Sequence, residues 1–274
     1  IDGYNFNGLY GVKLMGIGNS ELKWQKTKQW NVGIDLELIK NRFAFNFDYY
    51  NKLTDDLLSD VNLPTSAGFS SFKSNVGQVE NRGFEIGANA YIIRNTSKQL
   101  IWSVGGTMIH NVNKIKKISN YLEYLNSLME NEQDVNPSFM YKEGESINTI
   151  FAVRSQGIDP SNGKEIYVKK DGTLTYVWDS KDKVACGINE PKYLGTFNTR
   201  LRYQGWQLSA IFSYRFGGQI YNSTLASKIE NNYPYNNSDK RALYDRWSLE
   251  NPNARYKAVS DFSTTYATSR FVED

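Results

Sequence analysis

The sequence predicts an all-β fold built from long antiparallel strands. Its segments alternate apolar and polar residues, and the connections between these segments alternate in length. The short connections are residues 39–42, 94–99 and 203–206, and the long polar ones are residues 54–78, 113–192 and 217–262. Nothing in a soluble β-sandwich requires short and long connections to alternate. In an outer-membrane barrel they alternate because tight turns lie at one rim and long loops at the other. We therefore predict part of an antiparallel transmembrane β-barrel.

The composition agrees with this prediction and excludes several classes of protein. With 40% hydrophobic residues and a mean hydropathy of −0.57, the chain lacks the run of about 18 apolar residues that a spanning helix needs. Its 19 Tyr and 6 Trp suit a membrane interface. A net charge of +3, from 32 basic and 29 acidic residues, gives no reason to expect a nucleic-acid partner. The single cysteine, Cys186, excludes an intrachain disulfide framework and a Cys-rich metal site.

Strict period-two alternation in each hairpin predicts one apolar and one polar face. In the first hairpin, residues 32–38 alternate Val, Ile and Leu with Gly, Asp and Glu, and residues 43–49 alternate aromatic with small or polar residues. The residues that we expect to face lipid are Phe43, Phe45, Phe47, Leu208 and Phe212. Aromatic residues close to the short turns predict a lower girdle at Phe43, Trp102, Tyr203 and Trp206.

A water-soluble sandwich or barrel, with its apolar face as a core, is the main structural alternative. Two features favour the membrane. The polar faces carry Gly, Asn, Asp and Glu, which suit a wet lumen, and the long loops fall on one side only. From these faces we predict that Asp at Phe45 or Leu208 impairs barrel assembly, whereas Asp at Asn46 is far milder.

Four ordered motifs resemble those of SusC/RagA-type TonB-dependent outer-membrane transporters of the Bacteroidetes. NSELKWQKT at 19–27 is similar to the family's N-P-x-L-K-W-E-x-T element, from which it departs at Ser20 and Gln25. The family's D-Y-Y-N-K-x-T-x-D-L-L element has its counterpart at 48–58. The third match combines the Pro-to-Gly-Phe segment 64–69 with NVGQVENRGFE at 75–85, and the fourth is DPSNG at 159–163. Order and spacing agree from about residue 19 to residue 221.

This resemblance implies a 22-stranded barrel with an N-terminal plug, energised by TonB and capped outside by a SusD-like surface lipoprotein. Residues 1–274 would be a partial domain from the C-terminal half of that barrel, with about eight strands. We expect the plug, the TonB box and the final strands to lie outside this sequence. The resemblance implies an active importer in the cell outer membrane, not an enzyme, that moves oligosaccharides or oligopeptides. No cofactor and no metal are expected. The alternatives are a surface-exposed β-rich glycan-binding module and a passive porin.

Candidate ligand-binding residues are aromatic and lie in the long connections among many Asn residues. Their rings and the neighbouring amides suit stacking on a sugar or gripping a peptide backbone, although packing against the lid or neighbouring loops is the favoured explanation. The candidates are Tyr124, Tyr141, Trp178, Tyr221, Tyr233 and Tyr235. Residues 119–131, with Leu122, Leu125 and Leu128 at helical spacing, predict a short loop helix that packs on a partner or on the rim.

Catalytic interpretations have weaker support. His110, the only histidine, has no Gly-x-Ser-x-Gly element to complete a triad. Acidic pairs such as Glu143 with Glu145 are better read as solvated loop or lumen residues than as a glycosidase pair.

Overall fold

The computed structural model describes residues 4–6, 9–11, 16–63, 68–137, 140–233, 235, 237–261 and 263–274. The residues of the Pro-to-Gly-Phe motif at 64–67 lie outside the described part. The strands in chain order are β1 (Tyr4–Phe6), β2 (Leu9–Gly11), β3 (Lys26–Leu38), β4 (Phe43–Asp55), β5 (Leu58–Asn62), β6 (Ser71–Asn75), β7 (Gly77–Asn95), β8 (Leu100–Ile118), β9 (Thr149–Ile158), β10 (Glu165–Val168), β11 (Leu174–Thr175), β12 (Lys183–Ile188), β13 (Tyr193–Tyr203), β14 (Trp206–Phe216), β15 (Ile220–Tyr221) and β16 (Val272–Glu273). The helices are α1 (Asn120–Glu130), α2 (Arg241–Tyr244), a π-helix at Leu225–Glu230 and 3₁₀ turns at Ser180–Asp182 and Ser269–Phe271.

Six long strands form one antiparallel sheet in the order β14-β13-β8-β7-β4-β3. Neighbours in this sheet follow one another along the chain once the hairpin β5-β6 and the strands β9 to β12 are set aside as insertions. The predicted antiparallel all-β fold is confirmed. The described residues place six strands in this sheet, where about eight were expected. The remaining strands are short and form small sheets: β1-β2 precedes β3, and the others lie in the segments that follow β4, β8 and β14.

The three short turns join β3 to β4, β7 to β8 and β13 to β14, so antiparallel pairing places all three at one end of the sheet. Gln204 and Gly205 both have positive φ, 44° and 87°, as the two-residue turn that matches strand twist requires. The long connections leave from the opposite end, as the alternation of loop lengths predicts. Strand β8 continues eight residues beyond its pairing with β13 at that end, whereas β7 extends only two residues beyond its pairing with β4.

Hydrophobic side chains are buried mainly in the long connections and not in the sheet. One cluster packs α1 against the hairpin β5-β6 and the extended ends of β7 and β8, through Leu122, Leu125, Phe72, Val79 and Ile115. A second surrounds the π-helix. The predicted loop helix is confirmed: it begins after Ser119, whose Oγ accepts a hydrogen bond from the backbone N–H of Leu122. It packs on the rim of the sheet, as expected. In the described part of the chain, no helix has both the length and the apolar character needed to cross a membrane.

Candidate functional site

The strand register gathers the apolar residues of all six long strands on one face of the sheet. One row across it runs Leu36, Phe45, Ala88, Gly106, Phe197 and Phe212, each directly opposite the next. Phe43, Phe47 and Leu208 share this face, because they are an even number of residues from Phe45 or Phe212 in regular strands. Leu208 is 71% exposed and Phe212 59% exposed, so described residues do not cover the face at this edge. We call it the apolar face; that lipid covers it stays a prediction.

An aromatic row crosses the apolar face at the end from which the long connections leave. Directly opposite one another lie Tyr49, Phe84, His110, Tyr193 and Phe216. The ring centroids are 5.3 Å apart for Phe84 and His110, 4.7 Å for His110 and Tyr193, and 5.1 Å for Tyr193 and Phe216. The His110 Nδ1 lies 2.6 Å from the carbonyl oxygen of Lys192. Sequence reasoning missed this row, although aromatic residues at strand ends were a signal for it.

The spacing of the aromatic rows suits a membrane. Tyr193 in this row and Tyr203 beside the short turn are the first and last residues of the 11-residue strand β13. Ten steps of about 3.4 Å cover about 34 Å along the strand, or about 24 Å in depth at a tilt of about 45°. Transmembrane barrels have an apolar band of about 25 Å between two aromatic girdles. Along β13, Tyr193 and Tyr203 therefore have the separation of an upper and a lower girdle, and Trp206 lies directly opposite Tyr203.

The opposite face, which we call the polar face, is lined by side chains that lie across glycines of the neighbouring strand. A Cβ at Gly33 would come 2.3 Å from Asp48 Oδ1, one at Gly87 2.2 Å from Asn46 Oδ1, and one at Gly105 2.1 Å from Asn89 Oδ1. Tyr50 donates a hydrogen bond of 3.2 Å to Asn111 Oδ1 farther along this face. Because glycine has no side chain, polar side chains of the neighbouring strand lie against the sheet. The polar face is therefore hydrophilic and nearly flat.

The two longest connections, L1 (residues 119–192) and L2 (residues 217–274), pack together as one loop assembly. The Trp247 Nε1 of L2 donates to the Pro160 carbonyl at 3.0 Å, and the Tyr221 hydroxyl donates to the Val135 carbonyl at 2.6 Å. The Ala258 N–H donates to the Gly163 carbonyl, also at 3.0 Å. Gly163 has a φ of +71°, and a Cβ there would lie 2.6 Å from the Trp247 ring. The glycine of the DPSNG motif therefore lets L2 approach L1 closely.

A buried ionic network joins the same two connections. Arg270 in L2 donates to both carboxylate oxygens of Glu165 in L1, at 3.2 and 2.9 Å, and to Glu230 Oε2 at 2.9 Å. Glu165 and Glu230 are each 3% exposed. Although burial alone would lower the pKa of Arg270, the two carboxylates raise it above its usual value. Ionic hydrogen bonds of this kind are strong, and the loss of one partner leaves a buried charge unpaired.

The six candidate aromatic residues fall into two groups. Tyr141 is buried beside α1, and burial raises its pKa. Tyr221 is held by its bond to Val135, with a pKa raised mainly by burial, and the Trp178 Nε1 donates to the Ala267 carbonyl at 3.2 Å. These three rings pack within the loop assembly, whereas three others remain on its surface: Tyr124, Tyr233 and Tyr235.

Tyr233 lines a groove of about 670 Å³ on the surface of L2. Much of its wall is formed by exposed Leu243 and Tyr244, the amides of Asn231 and Asn232, the ion pair Lys257–Asp261, and Asp239, which is paired with Arg241 outside the groove. The Tyr235 ring lies with its centroid 5.4 Å from that of Tyr233. Burial lowers the pKa of Lys257 against the opposing effect of Asp261. Exposed rings beside amides can stack on and hydrogen-bond a polar ligand.

The described residues contain no group of three or more His, Cys, Asp or Glu side chains arranged to hold a metal ion. The features above are those of a barrel wall and a loop surface. Proteins that are similar to this chain are consistent with this architecture. A family model described as "TonB dependent receptor-like, beta-barrel" matches residues 3–256.

The chain belongs to this family. Proteins of the TonB-dependent receptor family are transport proteins rather than enzymes. The receptor chain is 29% identical over 230 residues to TonB-dependent receptor P3 of Formosa agariphila, with 78% of this chain and 23% of the relative covered. It is 26% identical over 242 residues to TonB-dependent receptor SusC of Bacteroides thetaiotaomicron, with 82% and 23% covered. It thus spans about a quarter of the length of these relatives.

A solved structure of the RagAB peptide transporter superposes on this receptor chain with a TM-score of 0.76, at 23% identity over 98% of this chain and 30% of the other. At this identity the likeness concerns the fold. Together with the relatives, it confirms the resemblance to SusC/RagA-type transporters that the motifs predict.

Proposed function

We propose that this chain forms wall strands and outer loops of a TonB-dependent active importer in the outer membrane. The observation that carries the proposal is the two-sided sheet: an apolar face on which Tyr193 and Tyr203 lie about 24 Å apart in depth, and a nearly flat polar face. The first suits lipid and the second suits a wet lumen. Membership of the receptor family supports the same assignment.

The cargo that we propose is an oligosaccharide, with an oligopeptide as the alternative. On the loop assembly, Tyr124, Tyr233 and Tyr235 are the exposed rings among the predicted binding residues, and we retain them as candidate contacts. Trp178, Tyr141 and Tyr221 would act through the packing of the assembly. Relatives named SusC and RagAB support a SusD-like surface lipoprotein as the lid, and the family supports energy coupling through TonB. The cargo would be captured under the lid and released when TonB rearranges the plug.

Native affinity purification tests this function. The full-length gene is tagged at its own locus, and the protein is purified from detergent-solubilised outer membrane. We expect a lipoprotein in near-equal amount, and bound small molecules in that sample to identify the cargo. Recovery from the soluble fraction would support a glycan-binding module instead. Recovery from membrane without a partner, with passive uptake independent of TonB, would support a porin.

A further inference from the structure

Basic side chains collect on the apolar side of the sheet just beyond the upper aromatic row. Lys28 lies four residues beyond Val32, the β3 residue opposite Tyr49; Arg82 lies two beyond Phe84 in β7, and Lys114 four beyond His110 in β8. Lys116 follows in β8. All four are exposed. We call Lys28, Arg82, Lys114 and Lys116 the basic belt.

Register places the belt on the same side as the apolar face. Lys28 is opposite Leu53, Leu53 is opposite Glu80, and Glu80 is opposite Lys114. Arg82 is opposite Asn51, which is in turn opposite Trp30. Because side chains alternate strictly in regular strands, these residues leave the sheet on the side of Trp30, Tyr49 and Phe84.

The belt keeps an excess of positive charge. Glu80 is already engaged: Lys116 Nζ lies 3.0 Å from its Oε2, and Asn51 Nδ2 donates to its Oε1 at 3.0 Å. Asp55, opposite Lys26, accepts a hydrogen bond from Gln78 Nε2. Among the described residues, no carboxylate forms an ion pair with Lys28, Arg82 or Lys114. Lys28, Arg82 and Lys114 thus face outward without a direct ion pair in the described part of the chain, and the carboxylate of Glu80, which lies among them, also interacts electrostatically with Arg82.

We propose that the basic belt binds the phosphate groups of anionic lipid in the outer leaflet, such as those of lipid A. This inference rests on the proposed position of the chain in the outer membrane. Two to four residues of about 3.4 Å, tilted by about 45°, put the cations about 5–10 Å beyond the aromatic row in depth. Headgroups occupy about that depth beyond the hydrocarbon layer. The belt is continuous with the apolar face, so a lipid with its chains on Phe84 and Ile86 would bring its phosphate to Arg82 and Lys114.

The test uses the full-length transporter in detergent and measures its affinity for diphosphoryl lipid A by native mass spectrometry. The belt variant is Lys28→Gln, Arg82→Gln and Lys114→Gln. A matched control, Lys52→Gln, Lys98→Gln and Arg215→Gln, removes the same charge elsewhere: Lys52 and Arg215 are on the polar face, and Lys98 is in a short turn. Dephosphorylated lipid A and inorganic phosphate are the further probes. Heat-modifiable migration verifies that both variants form barrels.

Each basic residue near an anionic lipid surface is worth about 1 kcal/mol, or about fivefold in affinity. We expect the belt variant to bind diphosphoryl lipid A at least about tenfold more weakly, and the control to bind it like the wild type. Dephosphorylated lipid A should bind wild type and belt variant alike. Equal loss in both variants, or none in the belt variant, would overturn the proposal.

Two further outcomes would assign the belt to a different ligand. Complete displacement of lipid A by millimolar inorganic phosphate would identify free phosphate. Loss of a co-purifying lipoprotein in the belt variant, with lipid A affinity unchanged, would identify a protein contact. The experiments distinguish a wrong lipid-binding proposal from a wrong proposed function. A transporter that still takes up its cargo but has no phosphate preference refutes only the belt, whereas recovery of the tagged protein from the soluble fraction refutes the importer.

Discussion

Neighbouring residues in β4 face opposite environments. Phe47 belongs to the apolar face, opposite Ile34 and Ile86, whereas Asn46 lies across Gly87 on the polar face. Phe47→Asp should destabilise the assembled barrel by about 1–3 kcal/mol, because a carboxylate would enter lipid. Asn46→Asp, which conserves shape, should change it by less than about 0.5 kcal/mol. Urea titration of the full-length barrel in lipid vesicles measures both. Equal effects would show that the faces are assigned incorrectly.

A second prediction for a single residue concerns Arg270. Replacing it with Ala leaves Glu165 and Glu230 buried without their cation, which should cost the loop assembly about 3–5 kcal/mol. Arg270→Lys should recover only part of this, since an ammonium cannot reproduce the two-pronged contact with Glu165. Hydrogen exchange of L1 and L2 in the full-length protein is the measurement. Arg255→Ala, which removes a half-exposed ion pair with Glu273, is the control and should cost less than about 1 kcal/mol. If the control were equally damaging, the buried network would not be the cause.

Prediction from sequence succeeded for the wall and was incomplete for the loops, for a physical reason. A period of two directly reports which residues share a face, so Phe43, Phe45 and Phe47 could be assigned to one side from β4 alone. The packing of Trp178 depends on Ala267, 89 residues away, and that of Tyr221 on Val135, 86 residues away. No local pattern reports such partners. For the same reason the contacts of Arg270 with Glu165 and Glu230 could not be foreseen.

At the scale of the elements, helix α1 buries only part of its apolar surface. Leu122, Leu125 and Met129 are buried, whereas Leu128, which continues the predicted spacing, is 45% exposed. Leu125→Ala should therefore destabilise L1 by about 2–4 kcal/mol through the cavity that it leaves. Leu128→Ala should have an effect below about 0.5 kcal/mol. Limited proteolysis between residues 119 and 148 in the full-length protein compares the two. Faster cleavage in both variants would mean that α1 buries its other side as well.

For the whole molecule, the outer strands of the sheet set the conditions for folding. Among the described residues, β3 and β14 each pair along one side only, over 13 and 11 residues. Such edges recruit other strands. Residues 1–274 expressed alone should therefore aggregate, and the full-length protein should give a compact, heat-modifiable band in gel electrophoresis. A soluble, monomeric product from residues 1–274 would instead favour a water-soluble sandwich.

The contacts between L1 and L2 restrict how such a receptor could change its cargo. Glu165 belongs to one connection, and Glu230 and Arg270 to the other; Trp247 and Pro160 are likewise divided between them. A chimera that exchanges L1 alone between relatives would separate these partners and lose the shape of both loops. Cargo preference should therefore be inherited, and be open to engineering, as a pair of loops that the hairpin β13-β14 separates in the sequence.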